Sequence, residues 1–344
     1  MQITGVEYMR RLFLLIFLVI PCCVFAQFTI KPEFELSTND DMAKEDFYNL
    51  HGTLRFKFQP TDDIELVFKP ELDKYEVDID EISAKYTFLE KHSVKGGKFE
   101  NILTLDDYLG NFDRLFARKN LVAREVKDQG YVSHAIGARY EYNDRSKDGF
   151  GGFAHVIYIP SQFEPQLNCG FYWRDQREEL LAGIFASYYP FINHENWGTD
   201  HCKSQRDNFI GNLVWTDYRN KIIYGAEFTL GSNLVNPVGH INYDPDTEHP
   251  AFAGADLHCG IKVEMTDYIQ WIPMLRGTML IPEISEAKCN EFEILYGNQF
   301  TYKQNAKLHL DGGLGIKTKY DTYGDDDLKT KLDWRWAVSI VIKG

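Results

Sequence analysis

Apolar and polar residues alternate along most of the chain from Gln27 onward, most sharply near its end. There Leu332, Trp334, Trp336, Val338, Ile340 and Ile342 interleave with Asp333, Arg335, Ala337, Ser339, Val341 and Lys343. Successive side chains of a β-strand point to opposite faces, so this segment presents one apolar, aromatic surface and one mostly polar one. The split recurs in Leu54, Phe56 and Phe58 against Arg55 and Lys57, and in Ile64, Leu66 and Phe68 against Glu65 and Lys69. It returns in Ile222, Tyr224, Ala226 and Phe228 against Lys221, Glu227 and Thr229, and in Ile261 and Val263 against Lys262 and Glu264. Leu308, Leu310, Leu314 and Ile316 against Lys307, His309, Asp311 and Lys317 complete the set. Two segments, 152–159 and 180–189, are apolar on both parities. Their inward sides are expected to pack against a neighbouring subunit or an in-folded loop.

Short polar turns and longer polar loops take turns between these strands. Turns fall near 60–63, 89–92, 143–149, 174–178, 216–221, 265–268 and 302–305. Loops fall near 37–49, 73–75, 100–129, 160–167, 190–206, 231–250, 282–290 and 320–331. Seven turns and eight loops separate sixteen strands, with both ends on the turn side. Soluble antiparallel sheets also alternate, but an even strand count with short turns at one end and long loops at the other is the layout of a bacterial outer-membrane barrel. In hydrocarbon an unpaired backbone N–H or C=O costs several kcal/mol, so the sheet must close on itself. About ten residues per strand matches the tilted span a membrane requires. Tyr140, Tyr142, Tyr188, Tyr189, Tyr296, Tyr302, Trp334 and Trp336 sit near strand ends, where aromatic girdles form. The expected fold is all-β: a closed antiparallel transmembrane β-barrel of about sixteen strands over 27–344, with short periplasmic turns and long extracellular loops.

The front of the chain is different. Arg10 and Arg11 precede an apolar run from Leu12 to Ile20, and Val24-Phe25-Ala26-Gln27 follows. A basic stretch, an apolar stretch and a small residue before the cut make a secretory signal peptide, so residues 1–26 are expected to be removed after Ala26, with Met1 or Met9 as the start. No later apolar run approaches the roughly 20 residues of a spanning helix. Cys169, Cys202, Cys259 and Cys289 contain no CxxC pair, which leaves zinc-ribbon and thioredoxin chemistry without support. The net charge of -14 and the lack of a Lys/Arg cluster exclude nucleic acid as a partner.

The stretch Val94-Lys95-Gly96-Gly97-Lys98-Phe99, a long loop with Arg114-Leu115-Phe116-Ala117-Arg118, and then Gln129-Gly130-Tyr131 resembles the middle of the phosphate-selective porin O and P group of bacterial outer-membrane porins. In those porins a glycine-rich strand leads into a long third loop that folds into the lumen, narrows it and selects solutes by charge. The resemblance implies a channel in the bacterial outer membrane for passive diffusion of small hydrophilic solutes or ions. Its implied partners are membrane lipids, the barrel-assembly machinery and further copies in a homo-oligomer. The chain departs from the porin pattern in ending Ile342-Lys343-Gly344 without the terminal Phe that serves assembly.

The loop at 100–129 is accordingly the candidate constriction. Its charges are Arg114, Arg118, Lys119, Arg124 and Lys127 against Asp106, Asp107, Asp113, Glu125 and Asp128. Opposed charges across a narrow passage would orient dipolar solutes. The strand parity sends Arg55, Lys57, Arg139, Lys307, Lys317 and Arg335 into the lumen, with Glu33, Glu35, Glu65, Glu227, Asp256, Glu264, Glu293, Asp311 and Asp333. Such a mixed, somewhat acidic lumen does not favour anions, so the phosphate preference is not carried over. No metal or cofactor is expected: His194-Glu195, Asp200-His201-Cys202 and Asp325-Asp326-Asp327 match no ligand spacing and read as hydrated loops. Nor is an enzyme expected. Ser133 and His134 are consecutive on a strand and point apart, and no G-x-S-x-G elbow occurs. The alternative to a channel is a non-conducting barrel with a structural or adhesin-like role.

Overall fold

A computed structural model describes residues 27–39, 49–73, 76–128, 134–143, 149–158, 165–175, 180–189, 208–232, 251–284, 289–320 and 328–344. The expected signal peptide, Ser133, the His194 to Cys202 cluster and the Asp325 triplet lie outside them. Seventeen strands form one antiparallel sheet. They are β1 (Gln27–Asn39), β2 (Asn49–Thr61), β3 (Ile64–Asp73), β4 (Glu76–Phe88), β5 (His92–Glu100), β6 (His134–Tyr142), β7 (Gly149–Tyr158), β8 (Pro165–Arg174) and β9 (Leu180–Tyr189). They continue as β10 (Asn208–Asp217), β11 (Ile222–Ser232), β12 (Ala251–Ile261), β13 (Val263–Thr266), β14 (Ile269–Ile281), β15 (Asn290–Tyr302), β16 (Ala306–Tyr320) and β17 (Leu328–Lys343).

Pairing of β1 with both β2 and β17, and of β9 with β10, closes the sheet. β12 and β13 are halves of one stave, because Gly260 faces Met274 of β14 and Val263 faces Trp271 in continuous register. The break lies opposite Pro273, which has no N–H to give the ladder. The barrel therefore has sixteen staves.

Alternation along each stave separates the two faces. Leu257 is 53% exposed on the outside while its neighbours Asp256 and His258 are buried inside. The C-terminal strand follows the expected parity: Ile340 and Trp334 point out, Ala337, Ser339 and Val341 point in, and Ser339 Oγ donates to Glu35 Oε1 at 3.1 Å. Tyr140, Tyr142, Tyr188, Tyr296, Tyr302 and Trp334 lie exposed on the outer face. A closed sheet leaves no unpaired edge for lipid to meet.

The inner face is not uniform. From β7 to β15 it carries buried apolar residues, among them Phe153, Tyr172, Phe185, Ile210, Phe252, Met274 and Leu295. On β2 to β6 it is mainly polar and charged. The segments apolar on both parities, β7 and β9, owe their inward apolar side to a chain segment inside the barrel, described next.

Candidate functional site

Between β5 and β6 the chain forms two short helices, α1 (Leu105–Asp113) and α2 (Leu121–Asp128). The start of α1 is a reciprocal capping box: Thr104 Oγ1 accepts from the Asp107 N–H, and Asp107 Oδ2 accepts from the Thr104 N–H, both at 3.2 Å. Asn120 caps α2, its Oδ1 accepting from the Ala123 N–H at 2.6 Å. The run Thr104-Leu105-Asp106-Asp107 was the sequence signal for this helix. Its length of nine residues, inside a stretch of scattered charge, hid it.

Three apolar clusters bind this loop to the inner wall. Ile102, Leu105 and Tyr108 pack on Phe153, Tyr172, Leu181, Phe185 and Val214. Leu103, Leu121 and Val126 pack on Ile210, Phe252 and Leu280. Phe116 enters a group made by Tyr218, Ile223, Ile272, Met274 and Leu295. Wall glycines make room for it: a Cβ on Gly297 would lie 2.7 Å from the Phe116 ring, and one on Gly254 would lie 2.5 Å from Val122. Gly297→Leu is therefore expected to push Phe116 off its seat at about 1–3 kcal/mol of overpacking. Faster quenching of a tryptophan placed at 116 would register the displacement; equal quenching would mean the wall yields instead.

Polar anchors run between the apolar ones. Asp113 Oδ1 lies 3.7 Å from Lys307 Nζ, and Arg114 lies 3.7 Å from Glu35. The Arg118 N–H donates to Asp311 Oδ2 at 3.1 Å, while its guanidinium lies 3.3 Å from Glu293. Glu293, fully buried, also faces Arg124 at 3.6 Å, Arg276 at 3.3 Å and Arg335 at 3.9 Å. Arg276 reaches the Arg118 carbonyl at 2.9 Å and stacks over Phe116. Asp106 Oδ2 accepts from the Asn120 N–H at 3.0 Å. Glu227 accepts from the Leu105 N–H at 3.0 Å, from Asn120 Nδ2 at 2.9 Å, and from Asn212 Nδ2. Burial pushes the Asp107 carboxyl above its usual range, against the pull of Lys119.

Of the loop charges, Asp113, Arg114, Arg118 and Arg124 have partners on the wall, while Asp107 faces Lys119 and Asp106 accepts from Asn120 within the loop. Arg114 and Arg118 are buried, whereas Asp113 and Lys119 keep about half their side chains exposed. Of the expected lumen residues, Glu227, Asp311, Lys307 and Arg335 are taken up in this loop seat. Arg55, Lys57, Glu65 and Arg139 stand on the other wall. There Lys57 lies 2.5 Å from Glu65, Arg139 lies 2.7 Å from Glu141, and Arg55 lies 3.8 Å from Glu81.

Several members of that wall are not among the expected lumen residues, although Lys69 reads on the polar side of its strand. Lys95 pairs with Glu81 at 2.6 Å, Lys69 with Asp80 at 2.5 Å and Lys85 with Glu141 at 3.4 Å. Asp80 and Glu81 are consecutive yet both buried inside, because the register slips between Lys69 and Pro70. A bulge of this kind defeats parity counting; Pro70, unable to donate to its neighbour, is the only trace of it in the sequence.

No family model and no curated protein matches the chain. Solved structures do match in fold. OmpT, an outer membrane protein of Vibrio cholerae, in its loop L8 deletion form, superposes with a TM-score of 0.60 at 11% identity over 93% of this chain and 100% of that one. An anion-selective porin from Comamonas acidovorans gives 0.59 at 9% identity over 92% and 99%, and the outer membrane channel DcaP of Acinetobacter baumannii gives 0.56 at 10% over 94% and 98%. The chain therefore has the porin-like barrel fold. The likeness does not single out the phosphate-selective group.

Proposed function

We propose that the protein is an outer-membrane channel through which small hydrophilic solutes or ions diffuse passively. In this reading residues 1–26 are a signal peptide cleaved after Ala26, barrel-assembly machinery inserts the rest among outer-membrane lipids, and copies associate as a homo-oligomer. Asp106, Asp107, Asp113, Arg114, Arg118, Lys119 and Arg124 belong to the loop that sets the narrowest part, and the passage runs along β2 to β6.

One observation supports this most directly. The loop covers the apolar inner wall of β7 to β15, while the opposite wall keeps Arg55, Lys57 and Lys69 with 43%, 34% and 29% of their side chains exposed. Water belongs where polar groups stay accessible, and fixed charges beside low-dielectric walls act strongly on a passing ion. Planar bilayers test the reading: stepwise ohmic currents are expected, and shortening the loop raises them. A flat trace would establish the non-conducting, structural or adhesin-like barrel instead. Neutralising Arg55 and Lys57 to Gln leaves Glu65 and Glu81 less opposed, so the reversal potential in a salt gradient should move toward cations. An unmoved potential would place the passage elsewhere.

A further inference from the structure

Among the buried carboxylates of the loop seat, Glu227 and Asp311 both hold the loop through neutral donors, and Glu227 is the one that reaches both helices. It is fully buried, and every hydrogen bond it makes comes from a neutral donor: the Leu105 N–H, Asn120 Nδ2 and Asn212 Nδ2. Glu293, Asp256 and Glu35 each face an arginine, whereas among the described residues no cation lies within ion-pair distance of Glu227. Leu105 is the first residue of α1 and Asn120 the cap of α2, so the amino ends of both helices converge on one carboxylate. Each end carries roughly half a positive charge, which supplies the counter-charge that no side chain provides. Asn212 extends the hold by donating also to the Leu103 carbonyl at 2.9 Å.

We propose that Glu227 is the latch of the lumen loop, an acceptor-only carboxylate joining both helix ends to β11, and that adding a proton to it releases the loop. Both oxygens already accept, Oε1 from the Leu105 N–H and Asn212 and Oε2 from Asn120, so a proton on either one displaces a donor that holds the loop. The surroundings load the latch. Asp256 of β12 sits directly across the strand pair from Glu227, and Asp106 of α1 lies close by. Like charges directly opposed across strands repel. The other charged groups nearby are engaged: Arg276 with Asp256 and Glu293, His258 with Asp256 and Tyr218, Lys119 with Asp107 and Arg118 with Glu293. Protonation therefore relieves the repulsion while breaking the hold on the loop.

This inference rests on the channel reading for its electrical readout, and a second readout stands without it. Glu227→Gln replaces one acceptor oxygen by an amide donor. Asn120→Ser keeps an oxygen to cap α2 but removes the donor to Glu227. A hydrogen bond to a charged group is worth about tenfold or more in a local equilibrium. Both folded variants should therefore show gating events about tenfold more frequent at alkaline pH, and in Glu227→Gln the frequency should no longer depend on pH. Wild type should acquire the same gating on acidification. Hydrogen exchange at fixed pH should be faster across 105–113 in both variants. Wild-type gating, pH profile and exchange in both variants would overturn the latch. If wild type passes no current, the channel reading fails, and exchange across 105–113 alone decides: faster supports the latch, unchanged overturns it.

Discussion

Leu257→Arg should abolish assembly of the barrel in membranes, whereas Lys57→Ala should assemble almost normally. Leu257 is in the middle of β12 on the lipid-facing parity and is 53% exposed, so an arginine there would stand in hydrocarbon near the midplane. That position costs about 2–4 kcal/mol, a sizeable share of the total stability of a folded chain, and the cost falls toward the interfaces. Ile340 is a weaker choice for the same test, because it pairs with Leu308, only two residues from the turn-side start of β16. Lys57→Ala removes a partly exposed lumen charge and leaves Glu65 in contact with water, an exposed pair worth about 0–1 kcal/mol. Folding into lipid vesicles, followed by the heat-dependent shift in gel mobility, separates the outcomes. Equal yields for the two variants would mean that the assigned faces of the staves are wrong.

The staves were legible because lipid and water impose opposite demands on alternate residues, and a residue such as Leu310 between His309 and Asp311 records both. The inner surface obeys no such simple demand. Phe153 and Phe185 are inward and apolar because Leu105 and Tyr108 cover them, and that depends on a segment about fifty to eighty residues earlier in the chain. The apolar run on both parities was therefore a sign of covering without a pointer to what covers. Asp80 and Glu81 were hidden for another reason: a single bulge shifts the parity of everything beyond it. The loop charges were visible as charges, but their partners are set by the path of the loop across the lumen. Nothing in the spacing of Arg118 announces Glu293, 175 positions later in the sequence.

Glu293→Ala should be the most damaging substitution inside the barrel. Glu293 is fully buried, and four guanidinium groups, those of Arg118, Arg124, Arg276 and Arg335, converge on it within 3.3 to 3.9 Å. Two of them are carried by the loop and two by the wall, so this carboxylate is the charge that allows both sets to occupy one place. Desolvating so many ions is expensive, and the intact cluster contributes little net stability. Removing its one shared anion is a different matter, since Arg118 and Arg276 are then left buried beside like charges with one anionic partner fewer, at a cost of about 3–5 kcal/mol. Arg276 retains Asp256 at 3.7 Å and Arg335 retains Glu291 at 3.0 Å, whereas Arg118 is the one whose backbone is also tied to the wall through Asp311. Relief should therefore come from moving the loop: Arg118 and Phe116 leave the wall together, and the barrel loses a urea midpoint while keeping its strand content. Arg118→Met added to Glu293→Ala should recover part of the loss by removing one of the mutually repelling charges. A stability change of Glu293→Ala no larger than the roughly 0–1 kcal/mol of a surface pair would mean that water reaches the cluster and that these charges do not hold the loop in place.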